Sequence, residues 1–96
     1  MLMPSILVLK QTINPASFYL RTIGGDYSKH SKDWIAPSIC PFHADNSPGS
    51  FFINRKTGAF KCFACDARGG DIIDFLMLYN RITLNEALER LQNDFL

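Results

Sequence analysis

"CPFHADNSPGSFFINRKTGAFKCFAC", residues 40–65, decides how this 96-residue chain is read. It opens and closes on a pair of metal-ligand residues, Cys40-x2-His43 and Cys62-x2-Cys65, with 18 residues between the pairs. A gap of two residues lets a tight turn aim both side chains of a pair at one ion. Between the pairs, "SFFIN" and "AFKCF" flank "RKTG": two short β-rich runs with a glycine-containing connection, the pattern of an antiparallel hairpin. The hairpin brings the two pairs together. Three thiolates and one imidazole suit a closed, tetrahedral structural zinc site, so Cys40, His43, Cys62 and Cys65 are the expected ligands of one Zn2+. The chain has three cysteines, so none is left over, and the odd count argues against a disulfide framework.

Other chemistries of the same residues are weaker. A catalytic Cys40–His43 pair needs an oxyanion site and a third orienting group, and nothing marks either. A redox pair at Cys62 and Cys65 lacks a surrounding βαβ pattern. Three unrelated buried cysteines are the bland alternative and rank below the closed zinc site. His30 stands ten residues before Cys40 without knuckle spacing and is read as a solvent-facing residue. With four protein ligands, zinc keeps no open position for water, so no metal catalysis is expected.

Outward from the hairpin the period changes. On "AFKCF", alternation sends Phe60 and Cys62 to one side and Ala59, Lys61 and Phe63 to the other. Phe51, Phe52, Phe60 and Phe63 are all expected in the core. Upstream, "INPASFYLRTI" predicts a helix with Asn14 as cap, Pro15 in the first turn and Gly24-Gly25 as its end. "DYSKHSKDW" reads as a loop or strand edge, and "WIAPSIC" as a strand confined to an edge by Pro37. Downstream, "GGDIIDFLMLYN" predicts a helix capped by Asp71 with Ile72, Phe75, Leu76 and Tyr79 on one face. "TLNEALERLQNDFL" predicts another, with a Thr83–Glu86 capping box and a buried stripe of Leu84, Leu88 and Leu91. The expected architecture is α+β: a small zinc ribbon (about 34–66) with a central antiparallel hairpin, one N-terminal helix and two C-terminal helices (about 71–95), all in a single domain, 1–96.

The bulk composition is consistent with this. A chain of this length buries about 60–70% of the surface its unfolded form exposes, so its core is modest and a metal staple helps. No apolar run approaches the ~18 residues of a membrane span. "MLMPSILVLK" lacks a basic leader and a small-residue cleavage site, so it is not read as a signal peptide. A cytoplasmic setting and no membrane partner are expected. The formal charge is +1 and unevenly spread. Residues 50–65 hold Arg55, Lys56 and Lys61 with no acid, whereas 71–96 hold five acids against two arginines. Zinc with three thiolates brings the holo total to about zero, so any nucleic-acid contact must come from a local patch.

The longer stretch "CPFHADNSPGSFFINRKTGAFKCFACDARGGDIIDFLMLYNRITLNEALERL" resembles the N-terminal zinc-binding domain of bacterial DnaG-type primases, the Cys-His-Cys-Cys zinc-ribbon family. The shared features are the Cys-Pro-Phe-His knuckle, a Pro-Ser-Phe strand start and a Cys-Phe-x-Cys knuckle. Gly-Gly-Asp, an apolar helix containing Phe-Leu and a final amphipathic helix complete the match. Two departures stand out: Gly49 splits the Pro-Ser-Phe, and Asp66 follows Cys65 where the family commonly has glycine.

The resemblance implies recognition of single-stranded template DNA in primer synthesis. It implies no polymerisation by this chain, because in that family catalysis lies in a separate acidic, metal-binding polymerase domain. That domain, or a replicative helicase or polymerase, is the implied partner in cis or trans. By analogy, the DNA face lies around the hairpin, with Arg55, Lys56 and Lys61 as the leading contacts, Arg68 beyond the second knuckle, and Lys29, Lys32 and Trp34 before the first. Asp71, Asp74, Glu86 and Glu89 are read as caps and solvated helix faces. The competing reading is a zinc-stabilised protein-interaction adaptor of a replication or mobile-element complex, suggested by the near-zero holo charge and the acidic C-terminal helices.

Overall fold

The computed structural model describes residues 6–27 and 32–96. Its elements in chain order are α1 (Ile6–Thr12), α2 (Pro15–Ile23), β1 (Trp34–Ile35), β2 (Phe51–Asn54), β3 (Phe60–Cys62), β4 (Arg68–Gly69), α3 (Ile72–Asn80) and α4 (Leu84–Phe95). The four strands form one antiparallel sheet in sequence order. The α+β architecture and the central hairpin match the sequence reading, and two elements extend it.

The hairpin owes its tight end to Asn54. Its side-chain oxygen accepts the backbone N–H groups of Lys56 and Thr57, both at 2.9 Å, while its own backbone pairs with Ala59 and Gly58. An asparagine that hydrogen-bonds its own turn replaces the pairing the reversing chain loses. Gly58 holds φ +81, and a Cβ there would stand 2.9 Å from Ile72 Cγ2. The Tyr19 hydroxyl donates to the Gly58 carbonyl at 2.6 Å in a buried bond, tying the turn to α2. Burial raises the Tyr19 pKa well above that of a free phenol, so it stays a neutral donor.

Alternation sends Phe51, Ile53, Phe60 and Cys62 to the inner face of the sheet, where all four are buried. There they meet Leu9, Ile13, Phe18, Tyr19, Ile72, Ile73, Phe75, Leu76, Ala87 and Leu91. Phe75 is the hub: its ring lies 5.0–6.3 Å, centroid to centroid, from Phe18, Tyr19, Phe42, Phe51, Phe60 and Tyr79. Such offset and edge-on pairs add to what burial alone supplies.

The caps are where the sequence predicts them. Asn14 accepts from Ser17 N–H, Asp71 from Asp74 N–H, and Thr83 and Glu86 close a reciprocal capping box. Asp74 also accepts from Gly70 N–H at 2.9 Å. These acids serve helix ends. Thr83→Ala removes the hydroxyl that accepts the Glu86 N–H and leaves only the backbone half of the box, and is expected to cost about 1 kcal/mol. A thermal melt of zinc-loaded protein should fall by about 4–8 °C; no shift would mean that the box forms only weakly in solution.

Three expectations change. Residues 6–12, read only as part of an apolar start, form α1, because Leu9 and Ile13 bury against the core and the helix packs on α4. "WIAPSIC" is a strand only at Trp34–Ile35; Pro37 has no N–H to continue the ladder, and its carbonyl instead accepts from Asp26. Leu84 is exposed, since it lies in the first turn of α4 ahead of the packed stretch, and the buried stripe is Ala87, Leu88 and Leu91. The extra strand β4 pairs Gly69 with Phe60 and Arg68 with Lys61. A Cβ at Gly69 would lie 2.5 Å from Phe60 Cε1, so only glycine lets this edge strand lie against that ring.

Candidate metal centre and the outer sheet face

Each ligand pair is shaped by its own turn. In the first knuckle, Phe42 N–H points at Cys40 Sγ (3.4 Å), and Asp45 closes the loop by accepting Cys40 N–H at 3.0 Å. That bond from the Cys40 amide lowers the Asp45 pKa. The Phe42 ring, between the two ligands, packs on Phe51, Phe60 and Phe75. The second knuckle grows from the end of β3. Ala64 N–H points at Cys62 Sγ (3.4 Å), and Asp66 turns the chain back with φ 64, its N–H bonded to the Cys62 carbonyl. Asp66 therefore occupies a left-handed position that glycine adopts most easily and aspartate tolerates.

The ligand atoms of Cys40, His43, Cys62 and Cys65 all lie within 4.8 Å of one another. Cys40 Sγ and Cys65 Sγ are 3.8 Å apart, and Cys62 Sγ and His43 Nε2 3.4 Å. Zinc–sulfur bonds of about 2.3 Å and a zinc–nitrogen bond of about 2.0–2.1 Å at tetrahedral angles place such pairs about 3.8 and 3.6 Å apart. The four donors thus fit one tetrahedral zinc ion. His43 Nδ1 is engaged with the Ala44 carbonyl at 2.8 Å, which leaves Nε2 for the metal. Cys40 and Cys62 are buried, His43 is half-buried and Cys65 is exposed.

Without metal the thiols differ. Burial pushes the Cys40 thiol up to about 12, and the Phe42 N–H offsets this only in part. Burial also raises Cys62, but the N–H groups of Cys65 and Ala64 outweigh it and bring that thiol down to about 7. The Ala44 carbonyl, and then the Cys62 thiol, raise the His43 pKa.

The sheet's outer face carries a second arrangement. Phe52 pairs directly across from Lys61, and Lys61 from Arg68, so the three form a row over β2, β3 and β4. Trp34 on β1, opposite Asn54, flanks Phe52 on the same side. Trp34, Phe52, Lys61 and Phe63 line a shallow, largely apolar cup of about 410 Å3. Phe63 is 69% exposed and Trp34 46%, with Phe63 edge-on to Phe52 at 5.5 Å. The Lys61 ammonium lies 5.4 Å above the Phe63 ring centre and 3.2 Å from Asp66 Oδ1. Expectation and structure therefore part at two rings: Phe51 and Phe60 are core, whereas Phe52 is half-buried and Phe63 lies open on the surface. The alternation along β3 already grouped Phe63 with Lys61; nothing local separated Phe52 from Phe51.

The other cations divide. Lys61 and Arg68 stand with Trp34 on the outer face. Arg55 and Lys56 sit in the β2–β3 turn, where Arg55 reaches the Lys32 carbonyl (3.5 Å) and Lys56 pairs with Asp33 (3.7 Å). Lys32 is exposed at that same end of the sheet. Lys29 and His30 lie outside the described residues. Among the described residues no helix is long and apolar enough to cross a membrane.

Comparison with known proteins points one way. The family described as the CHC2 zinc finger, the zinc ribbon of DnaG, matches residues 9–95. The chain is 51% identical over 51 residues to the DNA primase of Borreliella burgdorferi, covering 53% of this chain and 9% of that one. It is 35% identical over 83 residues to the DNA primase of Lactococcus lactis, covering 86% of this chain and 12% of that one. It therefore spans about a tenth of the length of these curated relatives. The crystal structure of the zinc-binding and RNA polymerase domains of Aquifex aeolicus primase superposes with a TM-score of 0.73 at 29% identity, over 94% of this chain and 21% of that one.

Proposed function

Because the chain belongs to the CHC2 zinc-finger family of DnaG primases, we propose that it is a template-reading module that binds single-stranded DNA for primer synthesis. The observation that carries this reading is the row Phe52–Lys61–Arg68 with Trp34 and Phe63 beside it, exposed rings next to cations on one sheet face. Rings of this kind stack unpaired bases whatever their sequence, and the neighbouring cations meet phosphates. Lys32, Arg55 and Lys56, gathered where the hairpin turns, take the backbone as the strand leaves the face. Lys29, outside the described residues, is included on the sequence resemblance alone. The zinc holds the knuckles that fix β3 and carries no chemistry. Polymerisation is the task of a polymerase domain or replication partner, in cis or in trans.

The test is a titration of zinc-loaded protein with short single strands at several salt concentrations. Lys61→Glu with Arg68→Glu should lose binding by more than tenfold and flatten the plot of log affinity against log salt by about 1.4, from about 0.7 per phosphate. Trp34→Ala should weaken binding by about 1–3 kcal/mol. Trp34 is the one tryptophan of the chain, so its emission reports directly on stacking. If the doubly reversed protein binds single strands as the unaltered one does, the face is misplaced. Capture of a replication protein without any salt-sensitive DNA binding would favour the adaptor reading instead.

A further inference from the structure

We infer that Asp66 is a built-in competitor for Lys61: its carboxylate occupies the central cation of the outer face and must be displaced when a phosphate arrives. The inference rests on the single-strand reading of that face and adds a residue to it that sets affinity. The Lys61 ammonium is 3.2 Å from Asp66 Oδ1, and no other ion pair to Lys61 is found among the described residues. Lys61 is the middle member of the row Phe52–Lys61–Arg68. The Asp66 side chain is 70% exposed, and an ion pair that open contributes little to folding. Its backbone, at φ 64, gives no conformational reason to prefer aspartate over glycine. The pair thus matters little to the fold, and its place gives it weight in binding.

The exchange has a definite ionic signature. A lysine that takes a phosphate releases the counterions condensed on the strand. When that lysine must first leave a carboxylate, the freed carboxylate takes up a cation and cancels part of the release. Asp66 therefore lowers both the affinity and its dependence on salt. It also keeps Lys61 drawn toward the second knuckle and over Phe63 in the free protein.

Asp66→Asn removes the charge and keeps a residue that tolerates left-handed backbone. Zinc-loaded D66N should bind a short single strand about two- to fivefold more tightly at low salt, with a salt plot steeper by up to about 0.7. In a Lys61→Gln background the same change should have almost no effect, because Asp66 acts through Lys61. Unchanged or weaker binding by D66N overturns the inference, as does an equal gain with and without Lys61. Binding that collapses in the K61E/R68E protein while D66N stays level sinks the role of Asp66 alone. Binding that is indifferent to K61E/R68E sinks the face and Asp66 together.

Discussion

Zinc removal at neutral pH is expected to dissolve the sheet. The four ligands come from two short knuckles, the second starting on the last residue of β3, and the strands that join them, β2 and β3, are four and three residues long. Structural zinc sites of this type bind with about 10–16 kcal/mol in peptides, as much as the entire stability of a small domain at about 5–15 kcal/mol. Chelation should therefore abolish the cooperative thermal transition and most of the near-ultraviolet signal of the aromatic core, and one equivalent of zinc should restore both. Cys62→Ser should reproduce the chelated state, since Cys62 is both a ligand and a core residue. An apo protein that melts with the same midpoint and cooperativity as the zinc form would refute this account.

The pH dependence follows from the ligands. Every ligand binds zinc deprotonated, so protons and metal compete, and affinity falls as pH falls. Cys40, at about 12 without metal, must give up its proton to zinc throughout the working range. Cys62, at about 7, is already a thiolate above neutrality and protonated below it. Log affinity against pH should steepen by about one proton below pH 7 as Cys62 protonates, and His43, its pKa raised first by the Ala44 carbonyl, adds a further proton when it titrates. Stability of the holo form is lost in the same direction, from neutral toward acid.

The second large effect is at Phe75. Its fully buried ring touches six other rings drawn from α2, α3, the first knuckle and both central strands. Phe75→Ala leaves a cavity that all of these line, and about 3–5 kcal/mol should be lost. With zinc in excess, the melting point should fall by at least about 12 °C, at about 4–8 °C per kcal/mol. Phe75→Leu should recover a substantial part of this. A loss in Phe75→Ala of under 1 kcal/mol would mean that the helices and the sheet do not share one core.

What could be read from the chain alone was what is local. Cys40-x2-His43 and Cys62-x2-Cys65 define their knuckles within four residues each, and the caps at Asn14, Asp71 and Thr83 depend on neighbours three positions away. What escaped depends on distant partners. The helix α1 exists because Leu9 and Ile13 find a core supplied by residues far along the chain. The strand β4 is two residues long and contains a glycine, so no propensity marks it; its register with Phe60 and Lys61 does. Phe51 and Phe52 are chemically identical, and only the sheet decides which ring is buried. The same holds for the cations: Arg55, Lys56 and Lys61 are close in sequence, yet the turn and the alternation of β3 send two to the end of the sheet and one to its face.

Phe42 carries a kinetic consequence. It lies between two zinc ligands, and its ring is held between Phe51, Phe60, Phe75 and Tyr79. Displacing the backbone of this knuckle from the metal site would draw that ring out of the stack. Loss of zinc and opening of the core between α3 and the sheet are therefore expected to be coupled: zinc exchange should slow in step with hydrogen exchange in β2 and β3, and exchange at unrelated rates would refute the coupling.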